Sequence, residues 1–131
     1  MGTVLIAPCG MNCAICLGHL REKNKCPGCN SWGRNKPKYC RICSIKFCTH
    51  QKRFCFTCPI FPCARLKKLD KRYRTRYGMS MLDNLALIKK IGVRKFVKRE
   101  EKRWKCPKCG KTLCVHRPFC LFCGNKARKG P

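Results

Sequence analysis

Sixteen of the 131 residues are cysteines, and most of them form pairs of the type C-x-x-C, which limits how this chain can fold. Two cysteines three residues apart can bind one tetrahedral metal ion from a single turn, and two such pairs complete a closed Zn²⁺ site. The pairs are Cys13/Cys16, Cys26/Cys29, Cys40/Cys43, Cys55/Cys58, Cys106/Cys109 and Cys120/Cys123, and the single cysteines are Cys9, Cys48, Cys63 and Cys114. Because a chain of this length buries only a modest core, we expect metal binding to supply part of its folding free energy.

The same density of cysteines would also suit a secreted scaffold held by disulfides. The start of the sequence argues against secretion, because the apolar run Val4–Ala7 is short and no charged residue precedes it. No stretch resembles a membrane span, which needs about 20 apolar residues. We therefore expect a cytoplasmic protein with reduced, metal-bound thiols and no membrane association.

The C-terminal segment, residues 105–131, carries the most specific metal motif. The pattern C-x-x-C-G occurs at Cys106–Gly110 and again at Cys120–Gly124. Glycine after the second cysteine permits the left-handed turn that directs backbone N–H groups toward sulfur. The pattern predicts a zinc ribbon, followed by a basic tail, in which one ion binds Cys106, Cys109, Cys120 and Cys123.

Residues 1–64 predict a multi-zinc region that contains an internal repeat. The pattern aromatic-C-x-x-C-x-Ile-x-x-C occurs at 39–48 and again at 54–63. The repeat favours a site of Cys40, Cys43, Cys55 and Cys58, and proximity in sequence favours Cys13, Cys16, Cys26 and Cys29 for another. Cys9, Cys48, Cys63 and Cys114 then remain, and His50 or His116 could replace one of them. Interleaved pairing fits the spacing equally well, so we predict three or four zinc ions that together use all sixteen cysteines.

Residues 65–104 predict a basic helical segment. Leu66, Leu69, Tyr73 and Tyr77 recur at helical spacing before Gly78, and Pro62 suits a first helical turn. Ser80 is a good N-cap for a second helix that Gly92 ends, and a short third helix follows. The chain is therefore expected to adopt a small metal-stabilised α+β fold, with a multi-zinc region, a short helical segment and a C-terminal ribbon.

Iron–sulfur chemistry is the rival interpretation of the cysteines. Cys9, Cys13 and Cys16 have the C-x₃-C-x₂-C spacing with which radical S-adenosylmethionine enzymes hold a cluster. Those enzymes need a barrel of about 200 residues, which this chain is too short to form. Zinc is therefore the preferred metal, and the colour of the purified protein separates the two.

The order of these motifs also carries a resemblance. The motifs are C-G-x-x-C-x-x-C at Cys9–Cys16, C-x-x-C at Cys26–Cys29, C-x-x-C-x₄-C at Cys40–Cys48, F-C-x-x-C-x-x-F-P-C at Phe54–Cys63, N-L-x-x-I-K-x-I-G at Asn84–Gly92, and R-W-x-C-P-x-C-G at Arg103–Gly110. In this order they resemble an uncharacterised Cys-rich family of bacteria and archaea, a domain of unknown function. The resemblance covers nearly the whole chain and implies zinc binding without assigning an activity.

The charge of the chain predicts its partner. There are 32 Lys and Arg residues against five Asp and Glu, for a formal charge of +27, and four tetrathiolate sites at −2 each would leave about +19. Such a chain is attracted to polyanions, of which nucleic acid is the most abundant in cytoplasm. RNA is favoured over DNA because no helix-turn-helix or two-cysteine, two-histidine finger is present and the charge is spread along the chain.

We therefore expect an RNA-binding protein, plausibly one that binds rRNA as a monomer on the ribosome. Trp32 could stack on an unpaired base, and it lies in a predicted loop beside basic residues. The predicted RNA contacts are Trp32, Arg34, Lys36, Lys38, Lys67, Lys68, Lys71, Arg72, Arg74, Arg76, Lys95, Lys98, Arg99, Lys102 and Arg103.

Three other classes compete with this interpretation. A DNA-binding module shares its electrostatics, and a protein-interaction module would need an acidic partner. A zinc enzyme needs an open coordination position, usually with His or carboxylate ligands, and general acid–base groups. With five acidic residues in the chain, we expect that it is not an enzyme.

Overall fold

The structure, a computed structural model, describes residues 1–31, 35–36, 40, 43–46, 48 and 52–126. In this part of the chain α1 spans Leu17–Leu20, α2 spans Ala64–Tyr77, α3 spans Met81–Ile91 and α4 spans Val93–Arg103. Single 3-10 turns lie at Thr3–Leu5, Cys13–Ile15 and Cys55–Thr57. The described N-terminal residues are thus mostly loop and short turns, and three consecutive helices follow them.

Helix α2 confirms the predicted apolar stripe. Leu66 is fully buried and Tyr73 is half-buried, whereas the basic residues between them face solvent. The helix ends at Gly78, whose φ of 64° is the left-handed conformation that glycine adopts without a steric penalty. Its first residue is Ala64, so Pro62 precedes the helix and does not lie in the first turn as predicted.

The junction between α2 and α3 is organised by a buried carboxylate. Ser80 is the predicted N-cap of α3, and its Oγ accepts a hydrogen bond from the backbone N–H of Asp83 at 3.1 Å. The same hydroxyl donates to Oδ1 of Asp70 at 2.6 Å, and the backbone N–H of Leu82 donates to that oxygen at 3.0 Å. Asp70 belongs to α2, so its carboxylate holds the start of α3 against the preceding helix.

We expect Asp70→Ala to destabilise the protein by about 3 kcal/mol, because it removes two charge-assisted hydrogen bonds from a buried site. Urea unfolding of the zinc-loaded chain measures the change. Asp83→Ala is the matched control, since Asp83 is exposed in the first turn of α3 and its loss should cost less than about 1 kcal/mol. Equal unfolding midpoints for the two variants would contradict the structural role of Asp70.

One core joins all three segments of the chain. Its fully buried side chains include Ile6 and Ile15 from the N-terminal region, Leu85 and Phe96 from the helices, and Val115 from the C-terminal region. Helix α3 packs against both α2 and α4. Asn84 of α3 also donates from Nδ2 to the carbonyl of Gly10 at 2.9 Å. The first cysteine loop is therefore fixed directly to the helical segment.

The described residues contain almost no β-structure. Their extended pairs are isolated bridges at Ile6–Asn12, Lys52–Phe54 and Lys105–Thr112. The small, helix-rich part of the predicted fold is therefore confirmed, whereas the strands of an α+β fold and of a zinc ribbon stay a prediction. No helix in this part of the chain combines the length and the apolar character that a bilayer crossing requires.

Candidate metal centres

Four cysteines of the C-terminal region converge on one point. The Sγ atoms of Cys106, Cys109, Cys120 and Cys123 all lie within 4.8 Å of one another. The Sγ–Sγ distance is 3.7 Å between Cys106 and Cys123 and 3.6 Å between Cys109 and Cys120. A tetrahedron with Zn–S bonds of about 2.3 Å has edges of about 3.8 Å. These four cysteines can therefore bind one metal ion, and they are the four that the C-x-x-C-G repeat predicts.

Two copies of one backbone turn position these sulfurs. The N–H of Gly110 donates to the carbonyl of Cys106 at 2.9 Å, and the N–H of Gly124 donates to the carbonyl of Cys120 at 2.9 Å. The two glycines have φ values of 78° and 75°, which side chains other than glycine rarely allow. The sequence therefore folds locally into two equivalent turns, each of which presents two cysteines, as their shared motif predicts.

The surroundings of Cys106 favour a thiolate. Backbone N–H groups of Cys109 and then Lys108 are directed at its sulfur, and they lower the pKa of Cys106 below its ordinary value. Cys106 and Cys120 are buried against the core, whereas Cys109 is exposed. A thiolate is the form that binds metal, so the backbone around Cys106 favours the metal-binding form of this one cysteine.

A second group of four cysteines lies where α2 begins. Cys48, Cys55, Cys58 and Cys63 line a cavity of about 20 Å³, which has room for one occupant the size of a water molecule. Burial and the neighbouring thiols of Cys63, Cys48 and Cys58 raise the pKa of Cys55 to about 12. The proximity of the sulfurs is therefore unfavourable to their ionised forms, and a bound cation would offset that repulsion.

A third group surrounds a larger cavity of about 360 Å³. Burial raises the pKa of Cys9, and the nearby thiols of Cys29, Cys13 and Cys43 raise it further. The N–H of Cys29 donates to the Cys13 sulfur at 3.3 Å. The cysteines that line this cavity are Cys9, Cys13, Cys16, Cys26, Cys29, Cys40 and Cys43.

The structure groups the cysteines differently from the grouping that the internal repeat predicts. Cys40 and Cys43 line the larger cavity, whereas Cys55 and Cys58 line the small one. Cys63 immediately precedes α2 and therefore keeps the second copy of the repeat beside that helix. Among the described residues, only the C-terminal four bring three or more ligand atoms within 4.8 Å, so the sulfurs of both cavities are more widely spread.

His116 is occupied by other contacts. Its Nδ1 accepts a hydrogen bond from the N–H of Leu17 at 3.2 Å, and its Nε2 lies 3.1 Å from the hydroxyl of Tyr73. This histidine thus packs among α1, α2 and the C-terminal region, where it also lines the larger cavity, and a ligand role for it stays a prediction. His50, the other histidine considered from the sequence, lies outside the described residues.

The predicted RNA contacts divide by location. Trp32, Arg34 and Lys38 lie outside the described residues. Lys36 donates from Nζ to the carbonyl of Cys29 at 2.6 Å, so its ammonium group supports the cysteine loop. Phe56, which lies between Cys55 and Cys58, stacks on Phe54 with 5.5 Å between ring centroids.

Helices α2 and α4 hold the other predicted contacts. Arg74 pairs with Asp70 at 3.5 Å, and the half-buried Arg103 lies 4.0 Å from Glu100 and over the ring of Trp104. The rest are exposed and make no ion pair with any described residue: Lys67, Lys68, Lys71, Arg72 and Arg76 on α2, and Lys95, Lys98, Arg99 and Lys102 on α4. Both helices thus present basic surfaces that the described acidic groups do not neutralise.

The resemblance to an uncharacterised Cys-rich family stays a prediction. No family model matches this chain, and no curated protein or solved structure is significantly similar to it. The function is therefore inferred from the geometry of the cysteines and from the exposed charge.

Proposed function

We propose that this chain is a zinc-stabilised RNA-binding protein of the cytoplasm, whose partner is structured RNA such as rRNA on the ribosome. The observation that carries the proposal is the basic surface of α2 and α4, where exposed Lys and Arg residues lack acidic partners among the described residues. Each such residue that neutralises a phosphate releases condensed counterions, which favours binding.

Zinc is the metal that we propose for the cysteines. All-sulfur tetrahedral sites select zinc or iron–sulfur clusters, and the C-terminal four have the separations of a mononuclear zinc site. We assign a second ion to Cys48, Cys55, Cys58 and Cys63, which share the small cavity beside α2. We assign a third ion to Cys9, Cys13, Cys29 and Cys43, which line the larger cavity, and the N–H of Cys29 donates to the Cys13 sulfur there.

A scaffold of this kind suits an RNA-binding surface. Metal sites replace core mass, so nearly every surface position of a small domain can be basic without loss of the fold. The exposed charges lie on two separate helices and not along a single one, a distribution that fits the phosphates of a folded RNA better than one groove of duplex DNA.

The acidic residues support a role without catalysis. Asp70 anchors α3, and the carboxylate of Glu100 is buried and accepts a hydrogen bond from Asn12 at 3.4 Å. Glu101 pairs with the amino group of Met1 at 2.9 Å. These three carboxylates have structural partners, which leaves Glu22 and Asp83 as exposed candidates for acid–base chemistry.

Filter binding of the purified zinc-loaded chain to rRNA tests the proposal. We expect binding at about 50 mM salt and a loss of about 10³-fold or more in affinity by about 200 mM, if six or more phosphates are contacted. Duplex DNA of matched length is the control, and it should bind more weakly. Co-sedimentation with ribosomes at both salt concentrations tests the ribosomal part. A chain that does not bind RNA at about 50 mM salt would contradict the proposal.

A further inference from the structure

His19 lies among the cysteines of the larger cavity. It follows Cys16 by three residues, so that Cys16-Leu17-Gly18-His19 has the same spacing as a C-x-x-C pair. Helix α1 carries it, and its side chain lines the same cavity as Cys16, Cys26 and Cys40. No role was assigned to His19 from the sequence, although its spacing from Cys16 is a pattern that can indicate a metal ligand.

The imidazole ring is oriented as a metal ligand would be. Nδ1 of His19 lies 2.7 Å from the backbone carbonyl of Cys26. A carbonyl can only accept a hydrogen bond, so Nδ1 carries the proton and Nε2 has the lone pair. Among the described residues Nε2 has no hydrogen-bond partner. A backbone carbonyl that fixes the tautomer through the other nitrogen is the usual support of a zinc-binding histidine.

The backbone holds Cys16 and Cys26 beside each other. The N–H of Cys26 donates to the carbonyl of Gly18 at 2.8 Å. A Cβ atom on Gly18 would lie 3.5 Å from Cβ of Cys26 and 3.8 Å from the sulfur of Cys16. These are ordinary van der Waals distances, so Cys16 and Cys26 both lie directly beside Gly18. Cys40 joins them, because its side chain lines the same cavity as Cys16, His19 and Cys26.

We propose that Cys16, His19, Cys26 and Cys40 bind a zinc ion as a site of three sulfurs and one imidazole nitrogen. The site rests on the zinc scaffold of the proposed function and is independent of RNA binding. It interleaves with the third ion's ligands, since each of the pairs Cys13/Cys16, Cys26/Cys29 and Cys40/Cys43 gives one sulfur to each of the two ions. The four ligand atoms lie further apart than those of the C-terminal site, so the proposed site requires the walls of the cavity to move closer together.

Cys114 is the competing fourth ligand. Burial raises the pKa of Cys114, and the nearby thiol of Cys16 adds a smaller increase. Cys114 is buried in the core, however, and does not line the cavity that holds Cys16, His19, Cys26 and Cys40. We infer that Cys114 is a buried apolar thiol and that His19 takes the fourth position.

Metal counting by native mass spectrometry on the full zinc-loaded chain tests this site. His19→Ala should release one zinc ion per chain, His19→Cys should restore it, and Cys114→Ser should retain the wild-type number. Cadmium-113 NMR of the cadmium-loaded chain adds a second readout. The wild type should show one resonance outside the chemical-shift range of the tetrathiolate sites, because one of its ligands is nitrogen. In His19→Cys this resonance should shift into the tetrathiolate range.

Full retention of zinc by His19→Ala would overturn the proposal, and so would loss of one ion from Cys114→Ser. A spectrum of wild-type chain in which every cadmium signal is of the tetrathiolate type would overturn it too. These failures leave the zinc scaffold intact, because the other ions would still be counted. A wild-type chain that binds no zinc would instead overturn the scaffold itself.

Discussion

Replacing Cys120 with serine is expected to remove one zinc ion from each chain and to unfold the two cysteine turns between residues 105 and 125. Cys120 is fully buried, and its sulfur lies 3.6 Å from that of Cys109 within the closed four-cysteine group. Binding of a structural zinc ion contributes about 10–16 kcal/mol in small zinc-dependent folds, so loss of one ligand removes much of what stabilises this region. Because Leu113 and Val115 of this region belong to the shared core, the remainder of the protein should be destabilised as well.

Native mass spectrometry counts the ions, and amide hydrogen exchange locates the loss of protection. Lys108→Ser is the matched control, because it places serine in the same motif at an exposed position that supplies no ligand. This control should retain its zinc and its protection at Cys106 and Cys120, whose N–H groups are hydrogen-bonded within these turns. A Cys120→Ser chain with unchanged zinc content would show that the four sulfurs do not form a metal site.

Changing four exposed basic residues of α2 to glutamine should weaken RNA binding strongly. The variant replaces Lys67, Lys68, Lys71 and Arg72, which make no ion pair with described residues. If each contacts a phosphate, the plot of the logarithm of the RNA association constant against the logarithm of salt concentration becomes less steep. The magnitude of its slope decreases by about 0.7 to 0.9 per residue, or about three in total. The effect is greatest at low salt, and filter binding at several salt concentrations measures it directly.

A charge-matched control separates contact from general attraction. Lys23, Lys25, Lys52 and Lys108 are exposed basic residues outside the predicted contacts, and changing them to glutamine removes the same charge. This control should lower the affinity less than the α2 variant and leave the slope nearly unchanged. Circular dichroism should show both variants folded, since surface substitutions of this kind cost little stability. Equal slopes for the two variants would contradict a specific role for α2.

Local patterns in the sequence predicted local structure well. The helical spacing from Leu66 to Tyr77, the glycine at position 78 and the N-cap at Ser80 each depend on a few neighbouring residues, and all three predictions are confirmed. The grouping of Cys106, Cys109, Cys120 and Cys123 was predictable for the same reason. A C-x-x-C-G turn forms within five residues, and two identical turns ten residues apart have few other partners.

The grouping of the N-terminal cysteines was not predictable in this way. Cys9 and Cys43 lie 34 positions apart in the sequence, and spacing alone does not reveal which distant loops meet in space. The repeat suggested that Cys40 and Cys43 pair with Cys55 and Cys58, but the structure places the two pairs on different cavities. The distribution of these cysteines between the two cavities therefore depended on tertiary packing.

By itself the sequence determined the excess of positive charge, the abundance of metal-binding thiols, the three helices and the C-terminal ligand set. These properties follow from composition or from contacts between residues close in the chain. Only the tertiary structure decided that Asp70 anchors α3, that His116 is occupied by Leu17 and Tyr73, and that His19 faces the cysteines. Each of these depends on the direction of a side chain relative to a distant segment, which packing of the shared core fixes and residue spacing does not.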